Sequence, residues 1–242
     1  MNRNRPLALL LAAMFLLAGC SREGFEASLS RADKSSAPQA QSSRPEQAGV
    51  VYELEELTAD GIEGSYQVPA AAGEAQEKAV KRISRSIRGM VKQLPELLAQ
   101  DGAAPAITLE SKVTRNDGTW FSISFSAVAG EDERRFGWGM TFDSATGGAA
   151  GLDSFIEPEA LSVLLLDGPS AELLEEGDAS EAQRAYLTAQ GSESLCGRLL
   201  KSDYGDPQTV LDASYYLDGS NVVAVFAAPQ EDGGVVRAAI KI

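Results

Sequence analysis

The chain has 242 residues, 44% apolar, 7% aromatic and 23% charged, with 21 Lys and Arg against 35 Asp and Glu and no histidine. That mix is apolar enough to build a folded core, and the length allows one large domain or two small ones at about 100–200 residues each. A net charge of −14 excludes a nucleic-acid binder that works through a basic surface, and it disfavours attachment to anionic lipid headgroups. Without histidine, Ser-His-Asp and Cys-His nucleophilic systems, His-ligated zinc and the commonest general base near neutral pH are excluded as well.

The chain opens as a targeting segment. Arg3 and Arg5 supply a positive start, and the apolar run over residues 7–17 is shorter than the roughly 20 residues a membrane span takes. It closes on Leu17-Ala18-Gly19-Cys20, which resembles the lipobox of bacterial lipoproteins and implies an acylated, palmitate-bearing Cys20 as the mature N-terminus. The expected organisation is a signal peptide over 1–19, the lipidated Cys and a flexible tether over 20–49, and one domain over 50–242. Residues 21–49 are rich in Ser, Ala, Gln and Pro, and such a linker reaches on the order of 30 Å. Losing residues 1–19 removes Arg3 and Arg5 and takes the net charge from −14 to −16, so the body is expected to be held by its lipid and not by its charge. The lipoprotein resemblance implies the bacterial envelope. In a Gram-negative host Ser21 after the Cys implies the outer membrane, facing the periplasm. Acylation of Cys20 leaves Cys196 without a disulfide partner, and its apolar neighbours Leu195 and Leu199 predict a small core residue.

Residues 62–68, ending at Pro69, predict a short strand. Over residues 74–100 the apolar positions Val80, Ile83, Ile87, Met90, Val91, Leu94 and Leu98 recur at helical steps. Lys81, Arg82, Arg85, Arg88 and Lys92 lie between them, and read as a solvated outer face. Gly89 and Pro95 are expected to weaken or kink this helix. Strands over 107–115 and 120–128 flank the turn Asn116-Asp117-Gly118. In the second of them Phe121, Ile123 and Phe125 alternate with Ser122, Ser124 and Ser126, giving one apolar and one small, polar face. A third strand covers 135–142, where Gly137 and Gly139 are expected to let the strand bend or accommodate Trp138. A helix is predicted from Pro158, another over 179–189 and a short one over 194–200. Strands over 213–217, 222–227 and 235–242 close the chain. The fold class is α+β: a mainly antiparallel sheet packed by one long and one or two shorter helices.

No phosphate loop, nucleophile elbow or paired metal-ligand motif occurs, so no cofactor and no metal are expected. Asp143 and Asp153 flank a Gly-Ala turn but lack the spacing of a calcium loop, and they read as turn and cap formers. The carboxylates leave open a glycan hydrolase, which needs only an acid and a base or nucleophile. Trp120, Phe121, Trp138 and Tyr204 are the aromatics able to stack on sugars or anchor a protein, with packing in the sheet core as their alternative role.

From about Tyr66 onward the chain resembles the domain shared by the extracytoplasmic part of the RsiV anti-sigma factor and the N-terminal region of the peptidoglycan deacetylase PdaC. The stretch Thr141-Phe142-Asp143-Ser144-Ala145-Thr146-Gly147 with Leu152-Asp153-Ser154-Phe155 carries the likeness, as do Tyr215-Tyr216-Leu217 and Val222 to Phe226 before the Pro229 loop. The family's aromatic-Gly-Gly-Ala-His stretch is replaced by Gly137-Trp138-Gly139-Met140, and Gln230 stands where an aromatic often follows the Pro. The resemblance implies a non-catalytic envelope-binding role. The expected partners are the membrane, through the lipid anchor, and peptidoglycan or a cationic envelope protein such as a lysozyme-like enzyme, to which the acidic charge would steer. The candidate ligand contacts are Trp120, Trp138 and Pro229. An inhibitor or assembly lipoprotein with an exposed apolar patch is a third reading.

Overall fold

A computed structural model describes residues 51–70, 73, 76–99, 104–174 and 178–242. The signal segment, Cys20 and the tether lie outside the described residues. The described residues make one compact unit.

Among the described residues nine strands form two sheets. The first has the order β1 (Glu53–Ala59), β2 (Ile62–Ala70), β3 (Ile107–Asn116), β4 (Trp120–Ala129), β5 (Arg134–Asp143). Its pairs are antiparallel except β2 with β3, which run parallel over a short stretch from Ile62 to Gly64. The second sheet has the order β6 (Ala171–Leu173), β9 (Val235–Lys241), β8 (Asn221–Ala227), β7 (Ala213–Asp218), antiparallel throughout. The α+β class and the antiparallel pairing are as expected, but the strands divide between two stacked sheets where the periodicity suggested one.

Helix α1 (Glu77–Leu97) covers the outer face of the first sheet. Its buried positions Val80, Ile83, Ile87, Met90, Val91 and Leu94 meet Phe121, Ile123, Phe125, Trp138, Met140 and Phe142 in one core. Pro95 sits in its last turn, where the helix is already ending. On the far side, α2 (Pro158–Leu166) and α3 (Asp178–Leu200) cover the second sheet, with Leu161, Leu165, Leu187, Leu195 and Leu199 against Tyr215, Leu217, Val222, Phe226 and Ile240. Gly191 breaks α3 with φ 73°, so it consists of two helical pieces, as predicted from the sequence. The result is four layers, helix on sheet on sheet on helices.

Where the sheets meet, the first sheet offers small side chains and the second offers Tyr216, Val223, Val225 and Val235. Gly137, Gly139, Ser122 and Thr141 face the second sheet and are buried. A Cβ on Gly139 would lie 2.7 Å from the Tyr216 Cβ and 3.0 Å from the Tyr215 carbonyl carbon. The two glycines therefore admit the neighbouring sheet, a reason different from the strand bending or accommodation of Trp138 expected of them. The Ser face of β4, read as polar, is turned inward at Ser122, whose Oγ accepts from the Leu217 amide at 2.8 Å.

An open edge would leave β5 with unpaired amides. Side chains take them instead: Arg135 N donates to Gln230 Oε1 (2.9 Å), Gly139 N to Ser214 Oγ (3.0 Å) and Thr141 N to the Tyr204 hydroxyl (2.6 Å). Gln230 thus clamps the edge, its Nε2 also donating to the Arg135 carbonyl. At the other edge β1 presents Glu53, Glu55 and Glu56, charges that discourage pairing with a further strand.

Three elements were not expected: β1, β6 and the six-residue α4 (Pro207–Asp212). Pro69, expected to end its strand, lies within β2, buried and paired with Leu54.

Candidate functional site

A cleft of about 500 Å³ lies at the junction of the Ala149–Asp153 stretch, the start of α2, the end of α3 and the loop before α4. Local chemistry builds each wall. After β5, Asp143 Oδ1 accepts from the amides of Ala145 and Thr146, both at 2.9 Å, and closes the turn. Ala149 bridges back to Phe142, and Ala150 N donates to the Thr141 carbonyl. The chain then passes through a 3-10 turn at Leu152–Ser154 into α2, where Pro158 occupies the first helical turn. Glu157 stands at the N-cap position of that helix without a side-chain capping bond, and Glu159 lies in its first turn, positions where the helix dipole favours carboxylates. On the facing wall Asp203 Oδ1 accepts from Gly205 N at 2.8 Å, and Asp206 caps α4 through Gln208 N.

Four carboxylates therefore line the cleft, Asp153, Glu157, Glu159 and Asp203, all exposed. None of its lining residues is basic. Tyr204 and Tyr215 form its aromatic floor. The Tyr215 hydroxyl donates to the Ala150 carbonyl, and burial together with the nearby Asp153 charge pushes it well above the usual tyrosine range. Burial does the same to Tyr204, whose ring packs on Phe142 at 5.3 Å. Both phenols stay protonated, as neutral hydrogen-bonding groups. Leu200, 62% exposed, adds an apolar lip.

Among the described residues no group of three or more Cys, Asp or Glu side chains is placed to hold a metal ion. Asp143 acts as a turn former, as expected, whereas Asp153 lines the cleft. Cys196 is a buried core residue, its thiol raised by burial and by the charge of Glu159. Arg198, its neighbour in sequence, is engaged elsewhere. Its guanidinium holds the Asp212 carboxylate (3.0 and 3.1 Å), the Ala227 carbonyl (2.9 Å) and the Tyr186 hydroxyl (2.7 Å).

The three candidate ligand contacts do not converge. Trp138 is 0% exposed and stacks on Phe125 at 4.7 Å, so its ring offers no surface to a ligand and packs the core. Trp120 is half-buried, edge-on to Phe155 at 4.7 Å, beside the Asp143 end of β5. Pro229 is exposed but lies at the other end of that strand, next to the Gln230 clamp on Arg135. Phe121 is also fully buried. Of Trp120, Phe121, Trp138 and Tyr204, the aromatics read as able to stack on sugars or anchor a protein, Tyr204 reaches the cleft. Of the carboxylates around it Asp153 was read only as a turn or cap former, and Glu157, Glu159 and Asp203 went unnamed, because three chain segments supply them and no local motif links those segments.

No protein-family model matches the chain, and no curated protein sequence matches it.

Proposed function

We propose that this chain is a lipid-anchored, non-catalytic binding domain of the bacterial envelope whose acidic cleft receives the basic surface of a cationic envelope protein. The observation that carries this reading is the cleft itself: four exposed carboxylates, two neutral phenols and no basic side chain in its lining, on a chain of net charge −14. Charged clefts of one sign raise the encounter rate of oppositely charged partners, and close charge pairs across an interface add affinity. The lipobox-like Leu17 to Cys20 supports the anchor, and the resemblance to the RsiV and PdaC domain supports a lysozyme-like partner.

Calorimetry tests the reading, with lysozyme and soluble peptidoglycan fragments titrated separately at low and moderate salt. Salt-sensitive binding of lysozyme is expected, weakened at least about tenfold in the triple variant Asp153→Asn, Glu157→Gln, Glu159→Gln. Lysozyme binding untouched by the triple variant would remove the cleft from the reading, and binding of glycan alone would make the domain a wall-anchoring module. One observation favours a second reading: the same cleft gathers the carboxylates that a glycan hydrolase needs on both sides of a scissile bond. Progressive heat of reaction on the fragments, lost in the triple variant, would replace binding by hydrolysis.

A further inference from the structure

Six of the chain's 21 basic residues lie on α1: Lys78, Lys81, Arg82, Arg85, Arg88 and Lys92. Four of them, Lys81, Arg85, Arg88 and Lys92, follow one another at steps of four, three and four residues, which puts them on one face. At about 1.5 Å per residue they make a row of roughly 16 Å on a rigid helix. All four are exposed and line a shallow groove of about 610 Å³ between α1 and the β1–β2 edge. Pro69, Ala70 and Val80 contribute apolar lining, and Ser84 ties the helix to the strand by donating to the Pro69 carbonyl at 3.1 Å. Two of the cations have an acidic neighbour: Lys81 pairs with Glu77 and Arg88 with Glu55 at 3.5 Å. Among the described residues Arg85 and Lys92 have no carboxylate partner.

We propose that this row of α1 docks the domain onto the anionic phospholipid headgroups of the membrane that carries its anchor. Net charge argues the other way, but a surface does not sense net charge. At physiological salt the Debye length is about 8 Å, so headgroups respond to the face within that distance and the acidic remainder is screened. Each Lys or Arg near an anionic leaflet raises partitioning by about fivefold. A straight row of exposed cations on one rigid element suits a plane of headgroups. The expected linker reach of about 30 Å keeps the domain close to that plane. Helix α1 covers the first sheet while α2 and α3, whose ends wall the cleft, cover the second. Docking by α1 therefore turns the layer that carries the cleft away from the membrane. The inference rests on the lipoprotein reading only for the membrane's proximity.

The test uses the chain from residue 20 onward with Cys20→Ser, so that no acyl group contributes. It is floated with vesicles of equal parts phosphatidylglycerol and phosphatidylcholine, and with vesicles of phosphatidylcholine alone. Binding is expected to the anionic vesicles only, to fade with salt, and to fall at least about tenfold in Arg85→Glu with Lys92→Glu. Lys112→Glu with Lys241→Glu changes the net charge equally at exposed sites off the row and is expected to bind as the parent does. Arg85→Gln with Lys92→Gln serves should the reversed pair lose its fold by circular dichroism, and a smaller drop is expected of it. Equal binding to both vesicles, equal loss in the two reversed pairs, or no vesicle binding would overturn the proposal. Silence on vesicles with capture of poly-glutamate would assign the groove to an acidic protein instead. The mass of the native mature N-terminus separates the two readings: an unmodified Cys20 with row-dependent vesicle binding would overturn the anchor and uphold the docking.

Discussion

The two faces of the first sheet solve the same burial problem with opposite chemistry. Toward α1 the strands offer Phe121, Ile123, Phe125, Trp138, Met140 and Phe142, large rings and chains that fill the gap beneath a helix. Toward the second sheet, neighbouring positions on the same strands are Ser122, Gly137, Gly139 and Thr141, and side chains of the second sheet, Tyr216, Val235 and Arg237, come up against their backbone. Apolar area holds the first interface. The second is sewn by hydrogen bonds that cross between the sheets. Ser122 serves Leu217, Ser214 serves Gly139, and Arg237 donates to the Phe125 carbonyl and to Ser126 Oγ at 3.2 and 2.9 Å. Small polar residues alternating with aromatics therefore need not mean a solvated face. Here Ser122 marks where a second sheet lies, while Ser124 is half-buried and Ser126 exposed.

The sharpest way to break the comparison is to remove bulk from one face and add it to the other. Phe125→Ala empties a fully buried ring site beneath α1 and is expected to cost about 3–5 kcal/mol, read as a drop in the urea midpoint. Gly139→Ala adds one methyl against the Cβ of Tyr216 and the backbone of Tyr215, atoms that cannot swing aside. Its expected cost is about 1–3 kcal/mol, from overpacking and not from a cavity. A neutral Gly139→Ala would mean that the sheets can separate at no cost and that the inter-sheet bonds do not set their spacing.

Much of this architecture was legible in the chain. The α1 period, the Asn116-Asp117-Gly118 hairpin and the closing strands follow local patterns, and the structure bears them out. Strand β1 was not legible, since Glu-Leu-Glu-Glu-Leu-Thr-Ala carries weak strand propensity and owes its form to pairing with β2. Helix α4 had a usable signal, Asp206 as cap before Pro207, but it spans too few residues to show a period. The division into two sheets was hidden because hairpins alone do not say which of them share an edge. The cleft was hidden for the same reason: Asp153, Glu159 and Asp203 meet only once the second sheet and its helices are stacked. The basic face of α1 was visible as spacing, yet its value as a surface depends on the groove that β1 and β2 complete.

The finest point of the comparison is Trp138, an aromatic chosen for its binding potential that the fold spends on packing. Its ring stacks on Phe125 with an interplanar angle of 7°, while its indole nitrogen is buried with no hydrogen-bond partner among the described residues. Two opposed effects decide the outcome of Trp138→Phe. The smaller ring leaves unfilled volume, a loss on the order of 1 kcal/mol or somewhat more, since part of the packing is kept. Removing an unsatisfied buried N–H returns about 1–3 kcal/mol. The two nearly cancel, so the urea midpoint is expected to move by no more than about 1 kcal/mol in either direction, the smallest effect of the three substitutions. A loss beyond about 3 kcal/mol would show that the indole donates a hydrogen bond in solution, and the α1-facing core would then depend on polar pairing as the inter-sheet face does.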